Sequence, residues 1–317
     1  MGALMRSLKA KIKTLNETIW EGRATDPKIT EWLDNFAPSS AAGLDERLHA
    51  LFLLSNFMFF GDREIRGLLK AMYRDLYRYP IVEQIRRTNR DTLDSNIIDP
   101  LFTAQLGATR FLGVGNPSES GSHLLYYFRQ ENGLPKNLFI HTHQIFTRHG
   151  GAGSLELRDA AVSRYIFIDD FCGSGKQGVE YSKDLVEDIK KLKPDASVAY
   201  YVLFATKKGI NRIKNDTKFD SARSIYELDS SFQCFSADSR FFRNRPPEID
   251  QPFSERMCRF YGEKMVSAAD ALGFEDSELL IGFHHNTPDN TLPIIWFDEP
   301  GGVPWNPIFR RYPKLAW

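Results

Sequence analysis

The chain has 317 residues, 42% of them hydrophobic and 13% aromatic, which excludes an intrinsically disordered protein and allows a packed core with an appended segment. Its 41 basic and 41 acidic side chains cancel, so no global positive field draws it onto nucleic acid or a membrane surface. Three scattered cysteines without a CxxC pair, no secretory apolar segment and no membrane-length apolar run predict a soluble, cytoplasmic protein with no membrane partner.

The first hundred residues predict helices. Residues 45–60 and 62–87 carry apolar side chains at helical spacing, and Pro80 is expected to kink or end the second helix. We therefore expect residues 1–100 to form a helical region packed on the core.

From about Leu106 the pattern changes to alternating strand, loop and helix. A helix is predicted from the loop after Ile168 to Lys193 and another over residues 254–272. Such a series predicts an α/β fold with a mainly parallel sheet, helices on both faces and a domain over residues 101–317. The predicted strands are 110–115, 137–143, 165–168, 197–205, 224–228, 278–285 and 292–297.

The stretch "YIFIDDFCGSGKQ", residues 165–177, joins an apolar strand to two aspartates and a glycine-rich turn that opens a helix. Backbone amides and the helix dipole at such a turn attract phosphate. A Walker A motif would need glycine where Asp170 stands and serine or threonine where Gln177 stands, so "GSGK" does not predict a triphosphate site.

The same stretch resembles the 5-phosphoribosyl-1-pyrophosphate (PRPP) loop of the type I phosphoribosyltransferases. The resemblance implies that the paired acids bind the ribose hydroxyls and that the loop amides bind the 5-phosphate. Carboxylates are strong acceptors for a diol, which agrees with that role. The alternative is a tight strand-to-helix turn with two exposed aspartates. The implied PRPP-binding residues are Asp169, Asp170, Phe171, Cys172, Gly173, Ser174, Gly175, Lys176 and Gln177, with Asp169 and Asp170 as the catalytic pair.

The phosphoribosyltransferase resemblance also implies three further parts: a loop that binds the departing pyrophosphate, a mobile lid over the site, and a hood over the acceptor base. "NPSESGS" after the strand at 110–115 supplies the first, with Ser118, Glu119, Ser120 and Gly121 as its residues, although serines also cap helices without any ligand. Residues 144–160 occupy the interval of the lid. The hood would use Trp296 or Trp305 to stack on an acceptor base, while packing in the core is the commoner role of a tryptophan.

Two positions depart from the family pattern. Gly173 stands where family members acting on 6-oxopurines carry a carboxylate, and Gln177 replaces the usual threonine or serine. The resemblance thus implies an Mg²⁺- and PRPP-dependent transferase with an unknown acceptor. A non-catalytic PRPP or nucleotide sensor that regulates a partner protein, and a purely structural interaction module, stay open as alternatives.

Two further expectations concern the biological setting and metals. The segments "GNPSESGSHLL" and "GFHHNTPDNTLPIIWFDEPGGVPWNPIFRR" resemble divergent phosphoribosyltransferase-like proteins of prokaryotic anti-phage and retron-type systems. This resemblance implies a defence effector, with a protein partner or a reverse transcriptase/RNA complex.

Zinc could in principle be bound by four histidines, His141, His143, His284 and His285. However, no Asp or Cys stands at a recognised ligand spacing nearby.

Overall fold

The computed structural model describes residues 2–37, 45–115, 120–148, 154–298 and 302–312, with the backbone alone for 120–123. The helices are α1 (Gly2–Thr18), α2 (Asp26–Leu33), α3 (Glu46–Leu54), α4 (Asp62–Ala71), α5 (Tyr79–Thr88), α6 (Ser95–Gly107), α7 (Ser120–Glu131), α8 (Lys176–Leu192), α9 (Lys207–Asp216), α10 (Gln251–Met265) and α11 (Pro293–Trp296). The strands are β1 (Met58–Phe60), β2 (Thr109–Gly113), β3 (Phe146–Arg148), β4 (Leu155–Leu157), β5 (Arg164–Cys172), β6 (Ser197–Thr206), β7 (Ser221–Leu228) and β8 (Ile281–Phe283).

The chain divides into two compact units. The sheet unit spans Ile65–Leu228, and the terminal unit combines Met1–Glu64 with Asp229–Trp317. This division differs from the predicted boundary at residue 100. The hydroxyls of Tyr77 and Thr109 lie 2.8 Å apart in a hydrogen bond, which ties the helices after residue 65 to the sheet.

The sheet unit is built on a fully parallel sheet in the order β2-β5-β6-β7. Ile166 of β5 pairs with Phe111 of β2 on one side and with Ala199 of β6 on the other. Because β5 and β6 are buried on both faces, they read as continuous apolar runs, and the prediction of a mainly parallel α/β sheet is confirmed.

Helices cover both faces of this sheet. On one face, Phe167 and Tyr200 share a core with Ile189 of α8 and Ile213 of α9. On the other, the ring of Phe111 meets Tyr77 and Phe128, with ring centroids 5.2 and 5.3 Å apart. The predicted helix after residue 62 stays helical, but it contains a π-helical segment, Met72–Arg78, that ends two residues before Pro80. The predicted interruption at the proline therefore takes the form of a local change in hydrogen bonding.

Two predicted strands are wrong. Residues 137–143 form short 3₁₀ turns at Lys136–Leu138 and Thr142–Gln144, with one isolated bridge from Phe139 to Phe111. Residues 292–297 contain α11, because Pro293 at the first turn of a helix has its fixed backbone angle and lacks only an N–H that needs no helical partner.

The terminal unit has its own aromatic core and a small parallel sheet of β1 and β8. The indole of Trp32 near the N-terminus donates to the Ile294 carbonyl over 2.7 Å, which joins the two chain ends. Within the described ranges, every helix is too short or too polar to cross a membrane.

Candidate functional site

The two adjacent aspartates lie inside β5, not after it. The sequence predicts that the strand ends at Ile168, but pairing continues from Asp169 opposite Val202 to Cys172 opposite Ala205. Polar side chains near the carboxyl end of a central strand reach the loop edge of the sheet, where ligands bind in open parallel folds.

Asp169 is held by the protein on both carboxylate oxygens. The Tyr200 hydroxyl donates to Oδ2 over 2.7 Å, and the Asp170 amide donates to Oδ1 over 2.9 Å. Burial disfavours the charged form and Asp170 adds repulsion, so the pKa of Asp169 lies well above its usual value.

Cys172 and Tyr200 are buried and form a polar cluster with Asp169, which is partly exposed. Burial, and then the charge of Asp169, raise the pKa of the Cys172 thiol to about 12. The same two causes raise the pKa of Tyr200. The helix start after Cys172 favours a thiolate by its dipole, but burial outweighs that effect. Cys172 is therefore a small buried residue whose raised pKa disfavours the thiolate.

The turn from β5 to α8 is anchored by its carbonyls. The Thr206 hydroxyl donates to the Gly173 oxygen over 2.5 Å, and Arg212 Nη1 donates to the Ser174 oxygen over 3.0 Å. Thr206 also caps α9 by accepting the Gly209 amide over 2.9 Å. The start of α9 thus fixes the shape of the turn.

Two glycines permit this close approach. Gly175 has φ +76° and precedes α8, and a Cβ there would lie 2.8 Å from the Gly209 oxygen. A Cβ on Gly209 would overlap the Gly173 oxygen. Both positions therefore require glycine, the first for its backbone angle as well as for space.

The amides of this turn are suited to an anion. Those of Gly173 and Ser174 have no acceptor among the described residues, and the first turn of α8 follows directly. N–H groups at the start of a helix have no partner within the helix, and its dipole favours negative charge there. The residues present therefore fit a phosphate group at the turn, with two carboxylates close by in the same strand.

The predicted pyrophosphate loop lies partly outside the described residues. This holds for Ser118 and Glu119, while the backbones of Ser120 and Gly121 begin α7. β2 runs parallel to β5 and pairs with it, so the chain leaves β2 at the same end of the strands as the β5–α8 turn. The interval predicted as a lid contains an antiparallel hairpin of β3 and β4, whose connecting residues 149–153 are not among those described.

The two predicted hood tryptophans belong to the terminal unit. The Trp296 indole donates to the Thr291 oxygen over 2.6 Å, and the Trp305 indole donates to the Ile294 oxygen over 3.1 Å. The Trp305 ring also packs against Phe36, with ring centroids 5.3 Å apart. Both indoles thus have a packing role in this unit, and their contact with an acceptor stays a prediction.

The histidines form two neighbouring pairs. The rings of His141 and His143 stack with their centroids 5.6 Å apart, whereas those of His284 and His285 meet edge to face with their centroids 4.9 Å apart. Among the described residues, no group of three or more His, Cys, Asp or Glu side chains is placed to share a metal ion.

Sequence reasoning missed the residues that support the turn. Tyr200, Thr206, Gly209 and Arg212 all come from β6 and α9, the next strand and helix along the chain. The threonine followed three residues later by glycine at the start of a basic helix could have indicated the cap. A tyrosine within an apolar strand carries no such signal.

A parallel α/β sheet with two acids and a glycine turn at the carboxyl end of a central strand is typical of the phosphoribosyltransferase fold. The chain belongs to the PRTase-CE family, whose model matches residues 29–311. No curated protein sequence matches it.

Several solved structures are distantly similar. Xanthine-guanine-hypoxanthine phosphoribosyltransferase of Helicobacter pylori is 10% identical over 54% of this chain and 89% of its own, with a TM-score of 0.26. Orotate phosphoribosyltransferase of Aeropyrum pernix is 12% identical over 43% and 78%, with a TM-score of 0.23. The AQ2163 protein of Aquifex aeolicus is 12% identical over 65% and 86%, with a TM-score of 0.30. Similarity at this level carries no argument about activity.

Proposed function

We propose that the chain binds PRPP together with Mg²⁺ at the β5–α8 turn. The observation that carries the proposal is the turn itself: its carbonyls are anchored by Thr206 and Arg212, while the amides of Gly173 and Ser174 have no acceptor among the described residues. In this proposal those amides and the start of α8 donate to the 5-phosphate.

The aspartates give the site its preference for a sugar. Carboxylate oxygens accept hydrogen bonds from a ribose diol, whereas a bare phosphate would be repelled by them. Lys176 and Gln177 are exposed at the start of α8, where a cation and an amide can reach the phosphate. Bound Mg²⁺ would be held mainly through PRPP and would neutralise charge on the departing pyrophosphate.

We further propose transfer of phosphoribose to an acceptor. The bond from C1 to pyrophosphate breaks, the acceptor forms a new bond to C1, and the acceptor's proton passes to solvent or to the pyrophosphate. Charge resembling an oxocarbenium ion develops at C1, as in glycoside chemistry. The acceptor would be a base, a nucleotide or RNA.

A non-catalytic sensor of PRPP or a nucleotide, which regulates a partner protein, is the second candidate. Gly173 favours it, because this position offers no carboxylate to receive a proton from a base, and its carbonyl is already bound to Thr206. Binding would then alter the turn and α9 without chemistry.

Calorimetry tests the binding. Wild-type protein is titrated with PRPP in the presence of Mg²⁺, beside an Asp169→Asn/Asp170→Asn double variant. Asp184→Asn, which removes an exposed carboxylate from α8, is the matched control. We expect binding by wild type and the control and its loss in the double variant; equal heats from all three would refute the ribose site.

Pyrophosphate release separates the enzyme from the sensor. The protein with PRPP and Mg²⁺ is offered pools of bases, nucleotides and RNA, with the double variant as background. Release that depends on one pool supports transfer, whereas tight binding without release from any pool supports the sensor.

We also propose a role in anti-phage defence, with a protein partner or a reverse transcriptase/RNA complex, on the basis of the two segments that resemble such proteins. Phage plating on cells that carry the gene with its genomic neighbours tests this role. We expect protection by wild type and none by the double variant at equal protein level; equal plating would contradict the proposal.

A further inference from the structure

Asp169 differs from an ordinary ligand-binding carboxylate, because the protein already orients both of its oxygens. Oδ2 accepts the Tyr200 hydroxyl over 2.7 Å, and Oδ1 accepts the amide of Asp170 over 2.9 Å. A carboxylate held at both ends keeps one orientation, and that orientation is set from within the fold.

The partner of Oδ2 lies deep in the core. Tyr200 is 1% exposed and shares a hydrophobic cluster with Phe167, Val186 and Ile213. A buried hydroxyl that lacks a partner costs free energy, so the bond to Asp169 is part of the fold as well as of the site. Oδ2 therefore points towards the core side of β5, where Tyr200 stands.

The bond to Oδ1 has a different consequence. Its donor is the backbone of the next residue, so the orientation of Asp169 fixes the peptide that carries Asp170. Both aspartates are partly exposed, and Asp170 lies nearer the glycine turn along the chain. A change at Tyr200 can thus reach Asp170 through Asp169 without any contact to ligand.

We propose that the two aspartates have separate roles: Tyr200 and Asp169 are positioning residues that fix Asp170, and Asp170 is the residue that contacts the ribose. This inference rests on the proposed function, which it sharpens by assigning the diol to a single carboxylate. Electrostatics agrees with it, because Asp170, Tyr200 and Cys172 are the titratable groups that face Asp169, and burial among them disfavours its charge.

Single variants test the division of roles by PRPP–Mg²⁺ calorimetry. Asp170→Asn removes the charge that binds the diol, so we expect affinity to fall about tenfold or more beyond the loss in Asp169→Asn. Tyr200→Phe and Asp169→Asn should weaken binding by similar, smaller factors. The Tyr200→Phe/Asp169→Asn double variant should bind about as well as either single variant, since both changes break the same link.

Two outcomes would overturn the inference. One is an equal loss of affinity in Asp169→Asn and Asp170→Asn, which makes both aspartates ligand contacts. The other is additive losses from Tyr200→Phe and Asp169→Asn, which makes them independent.

The melting temperature without ligand separates this inference from the proposed function. Tyr200→Phe should lower it more when Asp169 is intact than in combination with Asp169→Asn, because the carboxylate offers one acceptor oxygen to the Tyr200 hydroxyl and one to the Asp170 amide, whereas asparagine has a single acceptor oxygen. If wild type does not bind PRPP but this coupling is present, the proposed function fails and the Tyr200–Asp169 link stands. If wild type binds PRPP and the coupling is absent, this inference alone fails.

Discussion

Two sets of polar groups, the indoles of the terminal unit and the β5–α8 turn of the sheet unit, differ in their hydrogen bonding. In the terminal unit, the indoles of Trp32, Trp296 and Trp305 all donate to backbone carbonyls inside the same unit. In the sheet unit, the β5–α8 turn has its carbonyls bound, while the amides of Gly173 and Ser174 have no acceptor among the described residues.

This contrast concerns these groups alone, since the terminal unit also contains a buried polar atom without a hydrogen-bond partner among the described residues, Nδ1 of His284. The amides of Gly173 and Ser174 belong to partly exposed residues just before a helix, where an N–H without an acceptor suits an anion. The two tryptophans predicted as a hood are packed and hydrogen-bonded within the terminal unit, and their contact with an acceptor stays a prediction. The next experiments therefore compare a defect in one unit with a matched defect in the other.

The largest loss of stability and of PRPP binding is expected when a side chain fills the space between the β5–α8 turn and α9. In Gly209→Ala the added Cβ would overlap the Gly173 oxygen, so the turn must shift. We expect a loss of roughly 1–3 kcal/mol in unfolding free energy, with loss of PRPP binding. Thermal melts and calorimetry measure the two effects.

Gly262→Ala is the matched defect in the terminal unit, because its Cβ would overlap the Ala271 oxygen. It should destabilise the protein to a similar degree but leave PRPP affinity unchanged below its melting temperature. Gly67→Ala, in α4 with open space around it, should gain about 0.5–1 kcal/mol. If Gly262→Ala abolished binding as fully as Gly209→Ala, the contrast between the units would be wrong.

A smaller effect is expected at Thr206, which both caps α9 and holds the Gly173 oxygen. Thr206→Val keeps the shape and removes the hydroxyl, so it should cost about 1–2 kcal/mol of stability. Because the turn loses one anchor, PRPP affinity should fall about tenfold, the equivalent of one hydrogen bond.

Thr206→Ser supplies the control, since serine retains the hydroxyl without the methyl group. It should restore PRPP affinity to nearly the wild-type value. Equal affinities for the valine and serine variants would show that the anchor does not govern ligand binding.

The sequence predicted the central sheet well because its strands are long, apolar and separated by clear helices. The helix predicted to end at Lys193 and the strand predicted over residues 197–205 agree closely with α8 and β6, and the strand predicted over residues 165–168 lies within β5. Short segments were harder to predict from the sequence. "LPIIWF" has the composition of a strand, but Pro293 and the local packing make it one turn of helix.

The sequence predicted only part of the candidate site. Adjacent acids followed by glycines indicate a ligand, since they contradict an otherwise apolar strand. The supporting side chains arise from tertiary contacts. Tyr200 is spaced like any core residue of β6, and its bond to Asp169 depends on which strands are neighbours. The extra length of β5 was missed because hydrophobicity ends at Ile168 although strand pairing continues to Cys172.

The smallest effect on stability is expected from Asp169→Asn, and it is an increase where Gly209→Ala and Thr206→Val give a decrease. Its folded-state pKa is raised by burial and by Asp170, so the folded state holds the proton more tightly than the unfolded state does. Stability from this residue is therefore fully present below the unfolded-state pKa and is lost as pH rises through the folded-state value. Asp169→Asn removes this titration, so the variant should melt above wild type at neutral pH, and the difference should shrink towards acid pH. Melting curves of both proteins across that pH range measure the difference. A wild type that remained the more stable at neutral pH would show that the carboxylate contributes more through its bond to Tyr200 than it loses by burial.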